Sequence, residues 1–194
     1  MPLWPGNHNE LNLIIAKNHA EHNCHASRIE MGMHTATHID FPLHHIKNGK
    51  TSSDYPLSRF TGKASVINCF SKQDEFNHEK IESYINKDCP DILILRSRKK
   101  EIKSDKFDWN FPVLDQKTID LFVKFSIKMI GVDNVSVDQF GNEPVNHKKL
   151  LANDILILEG LNLSSTTEGL CSIHCYPISF QKTEAAPCRA LIEL

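Results

Sequence analysis

The sequence reads as one α/β domain, and three observations carry that reading. Short continuous apolar runs recur along the chain, at Asp91-Ile-Leu-Ile-Leu-Arg96, Ile127–Val132 and Asp154–Glu159. Each has the length and composition of a strand buried on both faces. Interspersed with them are two segments whose apolar residues fall on a helical period. The length of 194 residues suits a single domain, 1–194, able to bury a core without disulfide staples.

Taken in order, residues 26–33 alternate, with Ile29, Met31 and Met33 on one face, which predicts a strand. Residues 62–70 predict a second strand, opened by Gly62. Asn77 can cap a helix that carries Ile81, Tyr84 and Ile85 on one face, and the 91–96 strand follows it. Asp115 can cap a second helix carrying Ile119, Leu121, Phe122 and Phe125, ahead of the 127–132 strand. A short third helix is expected from Asn146 to Leu151, then the 154–159 strand. Residues 169–180 and 187–194 are β-rich and are expected to pair. Strands outnumber helices and the two are mixed, while the local pattern leaves the topology open.

Composition narrows the partners. Apolar residues make up 40% and charged residues 24%, which is ordinary for a globular protein. With 22 basic and 24 acidic residues the net charge is −2, so neither nucleic acid nor an acidic membrane is an expected partner. The basic run Arg96–Lys100 reads as a solvated loop. The opening Met-Pro-Leu-Trp-Pro-Gly lacks a basic region followed by an apolar stretch, and no run reaches the length of a membrane span. A cytoplasmic location is the resulting expectation. The six cysteines contain no CxxC pair, which argues against a zinc ribbon. Cys69, Cys171 and Cys175 lie in apolar, strand-like runs and are expected as buried thiols.

The densest chemistry lies in His34-Thr-Ala-Thr-His38-Ile-Asp40-Phe-Pro-Leu-His44. Imidazole nitrogen and carboxylate oxygen can converge on a divalent metal such as zinc at about 2.0–2.2 Å. A straight strand would separate His34 from His38 by roughly 13 Å, too far for one ion. The chain must turn there if both bind. Thr35, Thr37 and Ile39 are poor helix formers and Pro42 forbids a long helix. A tight turn or irregular segment is therefore expected, then an extended stretch to His44. The competing reading is a chance cluster of surface histidines in a chain that holds 11 of them.

Two further candidates stand far downstream. Glu159 ends an apolar run, where a carboxylate is costly unless something pairs with it, and His147 lies in the third predicted helix. Both have a plain alternative, Glu159 as an exposed strand end beside Gly160 and His147 as a helix-surface residue. There is no Gly-rich phosphate loop, and neither Ser136 nor Ser164-Ser165 lies in a nucleophile-elbow pattern, so a serine hydrolase is disfavoured.

With both halves in view, the chain resembles the cyclase family of metal-dependent hydrolases, which includes bacterial kynurenine formamidase. The family hallmark His-Thr-Gly-Thr-His-x-Asp-x-Pro-x-His is similar to the stretch His34 to His44, with Ala36 in place of the glycine and His45 where an apolar or aromatic residue is common. Trp4-Pro5-Gly6, the stretch Gly131-Val-Asp133-Asn-Val-Ser136-Val-Asp138, His147 twelve residues before Glu159, and Ala186-Pro187-Cys-Arg189-Ala190 resemble further family motifs.

The resemblance implies a compact α/β domain with a barrel-like mixed β core and flanking helices, usually a homodimer or larger. It implies that His34, His38 and Asp40 bind one divalent metal and that Asp40, His147 and Glu159 bind a second, zinc before manganese, with one or two ions per chain. It gives His44 the general acid/base role and Trp4 a place in the substrate pocket. His45 competes with His44, and only motif spacing favours His44. The function implied is hydrolysis of a small amide by metal-activated water, first as an arylformamidase converting N-formylkynurenine to kynurenine and formate. A cyclic imide or isatin-like lactam hydrolase is the alternative within the family. A metal-binding or interaction protein without catalysis is the alternative from another class.

Overall fold

A computed structural model describes residues 11–70, 76, 78–88, 90–99 and 111–193. In chain order the elements are β1 (Asn12–Lys17), the four-residue α1 (His19–His22), β2 (Ala26–Glu30), β3 (His38–Asp40), β4 (Thr61–Asn68), α2 (His78–Asp88), β5 (Ile92–Arg96), α3 (Gln116–Lys124), β6 (Met129–Val132), α4 (Val145–Ala152), β7 (Leu156–Glu159), β8 (Gly169–His174), β9 (Ala185–Pro187) and β10 (Leu191–Glu193).

Eight strands form one mixed sheet in the order β10-β8-β4-β5-β6-β7-β3-β9, curled into a half-barrel. Strands β4, β5, β6 and β7 run parallel, and α2, α3 and α4 lie in the connections between them. β8 and β10 extend one side antiparallel, and β3 and β9 the other. Alternate side chains of the central strands enter two cores. Ile67, Leu93, Leu95, Ile130 and Ile157 meet the helices through Ile81, Ile85, Ile119, Phe122 and Leu150. Ile39, Val66, Ile92, Ile94, Leu156 and Leu158 fill the inside of the curl with Phe41, Phe60 and Ile173. This is why β5, β6 and β7 read as unbroken apolar runs.

Most expected elements are present. The Asp115 carboxylate accepts a hydrogen bond from Thr118 N at 2.7 Å and starts α3. Asn77 and Trp4 lie outside the described residues. β8 and β10 pair antiparallel as expected, while β9 departs to pair with β3. Cys69, Cys171 and Cys175 are buried free thiols, and burial pushes Cys69 and Cys175 up to about 12. Among the described residues no helix is long and apolar enough to cross a membrane.

Two expectations change. The strand expected over 26–33 stops at Glu30 and pairs with β1 in a separate two-stranded ribbon, so its apolar residues do not join the core. The Arg96 guanidinium is not merely solvated, because it donates to Thr166 O at 2.8 Å and Ser164 O at 3.2 Å.

Ala36 adopts φ 64, in the left-handed region. A Cβ there costs roughly 1–2 kcal/mol, partly offset in a glycine by its greater freedom when unfolded. Ala36→Gly is therefore expected to raise unfolding stability by up to about 1 kcal/mol in denaturant titration. A loss of stability would show that the turn is not strained.

Candidate metal centre

Strand register assembles half of the site. In β3, Ile39 points into the curl, so its neighbours His38 and Asp40 point to the opposite, helix-covered face. β3 pairs with β7 so that His38 lies opposite Glu159 and Asp40 opposite Ile157. Directly paired residues project to the same face, which brings His38, Asp40 and Glu159 together. The helix α4 lies over this face and buries Asn146, His147, Leu150 and Leu151 as one stripe. His147 thereby reaches the two carboxylates.

The turn before β3 brings in His34. Ala36 reverses the chain, and Thr37 Oγ1 donates to Gly160 O at 2.7 Å, tying the turn to the end of β7. After Asp40 the chain does not stay extended to His44 as expected. Pro42 starts a single 3-10 turn, Pro42–His44, because its fixed φ and missing N–H suit the first position of a helical turn. The turn brings the His44 ring to 4.1 Å from the His34 ring, centre to centre. Gly49 packs beneath it, where a Cβ would stand 2.6 Å from the Pro42 carbonyl carbon.

The donor atoms converge. His34 Nδ1 lies 2.9 Å and His38 Nε2 3.3 Å from Asp40 Oδ1. His147 Nε2 lies 3.4 Å from Asp40 Oδ2 and 3.3 Å from Glu159 Oε1, and His38 Nε2 lies 3.6 Å from Glu159 Oε2. Two compact ligand sets result, His34–His38–Asp40 and Asp40–His147–Glu159, with Asp40 in both. All five predicted ligands are thus brought together. Glu159 and His147 are buried, so neither the exposed strand end nor the helix-surface alternative holds.

Neighbouring groups fix how these rings face. The His38 Nδ1–H donates to Ala36 O at 2.9 Å, which leaves Nε2 turned to the carboxylates. The His147 Nδ1–H donates to Asp138 Oδ2 at 2.6 Å, again leaving Nε2 turned inward. Asp138 also accepts from the backbone N–H of Asn146 and His147, both at 3.0 Å. It supplies the cap that Pro144 cannot give α4. Glu159 Oε1 accepts from Val137 N at 2.9 Å.

The residues present fit a divalent cation. Asp40 is fully buried, and among the described residues neither of its oxygens nor His38 Nε2 has a hydrogen-bond partner of proper geometry. A buried carboxylate in that state demands compensating positive charge. Without a cation the rings supply it. Burial works against a charged His38, but Asp40 and Glu159 outweigh it and raise the ring to about 9. Against the same cost of burial, Glu159, Asp138 and Asp40 hold His147 well above the ordinary imidazole value. At His44 burial prevails, and together with His34, His45 and His147 it lowers the ring to about 3 despite Asp40. His44 is accordingly neutral at neutral pH.

The site opens into a cleft of about 350 Å³ lined by His44, His45, Ser136, Gln139, Asn142 and Pro144, among others. Two residues of this region carried no role in the sequence reading. Asp138 lies in a motif that carries the resemblance, but its contact with His147 spans nine residues and a helix start. Glu184 approaches His34 Nε2 at 3.6 Å from the segment before β9, and nothing in its local sequence marks it. His45 faces the same cleft as His44.

Fold and site together define a single-domain α/β protein with a buried imidazole–carboxylate centre at the edge of a mixed sheet. The chain belongs to the Cyclase family, which residues 1–139 match. Similar solved structures include a potential metal-dependent hydrolase with cyclase activity, 24% identical with TM-score 0.83, the match covering 99% of this chain and 90% of that one. A predicted metal-dependent hydrolase from Bacillus stearothermophilus is 25% identical with TM-score 0.81, covering 99% and 91%. An isatin hydrolase bound to the product analogue thioisatinate is 17% identical with TM-score 0.83, covering 98% and 84%.

A pH dependence follows from the raised imidazole. Since His38 titrates at about 9 in the metal-free chain, it is protonated at neutral pH and must lose that proton before Nε2 can bind a cation. Apparent metal affinity is expected to rise with pH from neutrality and to level off above about 9. Calorimetric titration in buffers of different ionisation enthalpy reads the released protons directly. Binding heats independent of buffer would contradict this arrangement.

Proposed function

We propose that this protein is a metal-dependent hydrolase that cleaves an amide bond with metal-activated water. The observation that carries the reading is Asp40, a buried carboxylate shared by two ligand sets whose other members, His34, His38, His147 and Glu159, line a cleft of small-molecule size. The kinship with the Cyclase family and the fold shared with metal-dependent hydrolases support it. A divalent cation bound there, zinc first and manganese second, supplies Lewis acidity and lowers the pKa of water to about 7.

The side chains divide the remaining work. His34, His38, Asp40, His147 and Glu159 would hold the cation, with one or two ions fitting the overlapping sets. His44 sits half-buried at the cleft wall beside His34, where its imidazole can take a proton from the attacking water. It then delivers that proton to the amide nitrogen as the C–N bond breaks and the water oxygen bonds to the carbonyl carbon. Water is the only co-reactant this balance needs.

Arylformamidase is the substrate assignment placed first, N-formylkynurenine giving kynurenine and formate. The second is an isatin-like lactam or a cyclic imide, the same bond closed in a ring, and the fold shared with an isatin hydrolase supports keeping it. The expected partner is a second copy of the chain. Leu11, Leu13, Ile15 and Ile29 of the β1–β2 ribbon are 56%, 66%, 62% and 57% exposed, and Leu13 pairs directly with Ile29. Such a face is unusual on a monomer. Light scattering is expected to show a dimer that Leu13→Asp dissociates; an unchanged mass for that variant would remove this face as the contact.

Metal-loaded protein is expected to turn over at least one member of a panel of N-formylkynurenine, simpler formamides, cyclic imides and isatin. His44→Ala is expected to keep its manganese while kcat falls by about 10²–10⁴. Full activity in that variant would unseat His44, and a loaded protein inert on the whole panel would favour a non-catalytic metal-binding protein.

A further inference from the structure

The cleft contains one more imidazole than this chemistry uses. His45 follows the Pro42–His44 turn, is half-buried, and faces the cleft beside His44. Its ring centre is 4.0 Å from that of His44 and 5.0 Å from that of His147. One nitrogen from each of the three rings lies within 4.8 Å of the other two. Nitrogens at about 2.0–2.1 Å on a tetrahedral zinc are about 3.4 Å apart, so side-chain rotation that draws the rings together closes the set. His147 has only Nε2 to offer, since Nδ1 is committed to Asp138 at 2.6 Å.

We propose that His44, His45 and His147 form an all-nitrogen seat for a divalent cation, distinct from the two carboxylate-bearing sets and competing with Asp40 and Glu159 for His147 Nε2. Donor chemistry separates the seats. Imidazole favours copper(II) and zinc, whereas carboxylate oxygen suits manganese and magnesium. With a cation already held at Asp40, copper(II) or excess zinc can therefore occupy the outer seat, which manganese does not favour. A cation in the outer seat also takes the lone pair of His44, so excess zinc or copper(II) suppresses turnover. That last consequence alone rests on the acid/base role proposed for His44; the seat itself does not.

The test compares the wild-type chain with His45→Phe and His45→Gln, titrated separately with manganese, zinc and copper(II) against a competing chelator. Copper(II) affinity, and the affinity for zinc added beyond what the Asp40 centre holds, are expected to fall at least about tenfold in both variants, with manganese affinity unchanged. Paramagnetic resonance of the copper(II) form is expected to show coupling to three nitrogens in the wild type and fewer in the variants. Copper(II) affinity and spectrum unchanged in both variants would overturn the seat. So would parallel loss of manganese, which would make His45 a support of the whole centre. Failure of the hydrolase reading leaves these titrations untouched, and failure of the seat leaves the Asp40 centre and its turnover in place.

Discussion

A single buried carboxylate governs this structure. Asp40 lies inside the sheet with no exposure, where an ionised group costs several kcal/mol unless positive charge answers it. In the metal-free chain that charge comes from protons on His38 and His147, and for this reason both rings are held above their ordinary range. A divalent cation meets the same demand with stronger charge and fixed directions. The proton-bearing cluster and a cation-bearing one are two answers to one electrostatic requirement.

The fold is arranged around that requirement. Pairing of β3 with β7 sets His38 opposite Glu159, and a slip of β3 by one residue would turn His38 and Asp40 to the other face, away from Glu159. The helix α4 is anchored by Asp138, which satisfies two of its first backbone N–H groups and also orients His147. The left-handed Ala36 and the tight approach of Gly49 to Pro42 shape the two turns that deliver His34 and His44. Strain and close packing occur where the chain must bend to place an imidazole.

Local pattern revealed what local physics decides. The buried strands β5, β6 and β7 were legible because both their faces are apolar, and α3 because Asp115 caps an amphipathic run. His34, His38, Asp40 and His44 were legible because they crowd a short segment. His147 and Glu159 needed the family resemblance to be joined to them, since more than a hundred residues of sequence separate the halves. Long-range geometry stayed hidden. The Asp138–His147 contact, the approach of Glu184 to His34 and the β3–β9 pairing depend on topology that no short window contains. The turn at Pro42 was misread as extended because proline opens a 3-10 turn as readily as it blocks a long helix.

Anomalous diffraction from crystals of the metal-loaded protein tests the central claim most directly. The account predicts a peak within about 2.0–2.2 Å of an Asp40 carboxylate oxygen, flanked by nitrogens of His38 or His147. A fully loaded crystal whose anomalous peaks all lie beyond reach of Asp40 would contradict it.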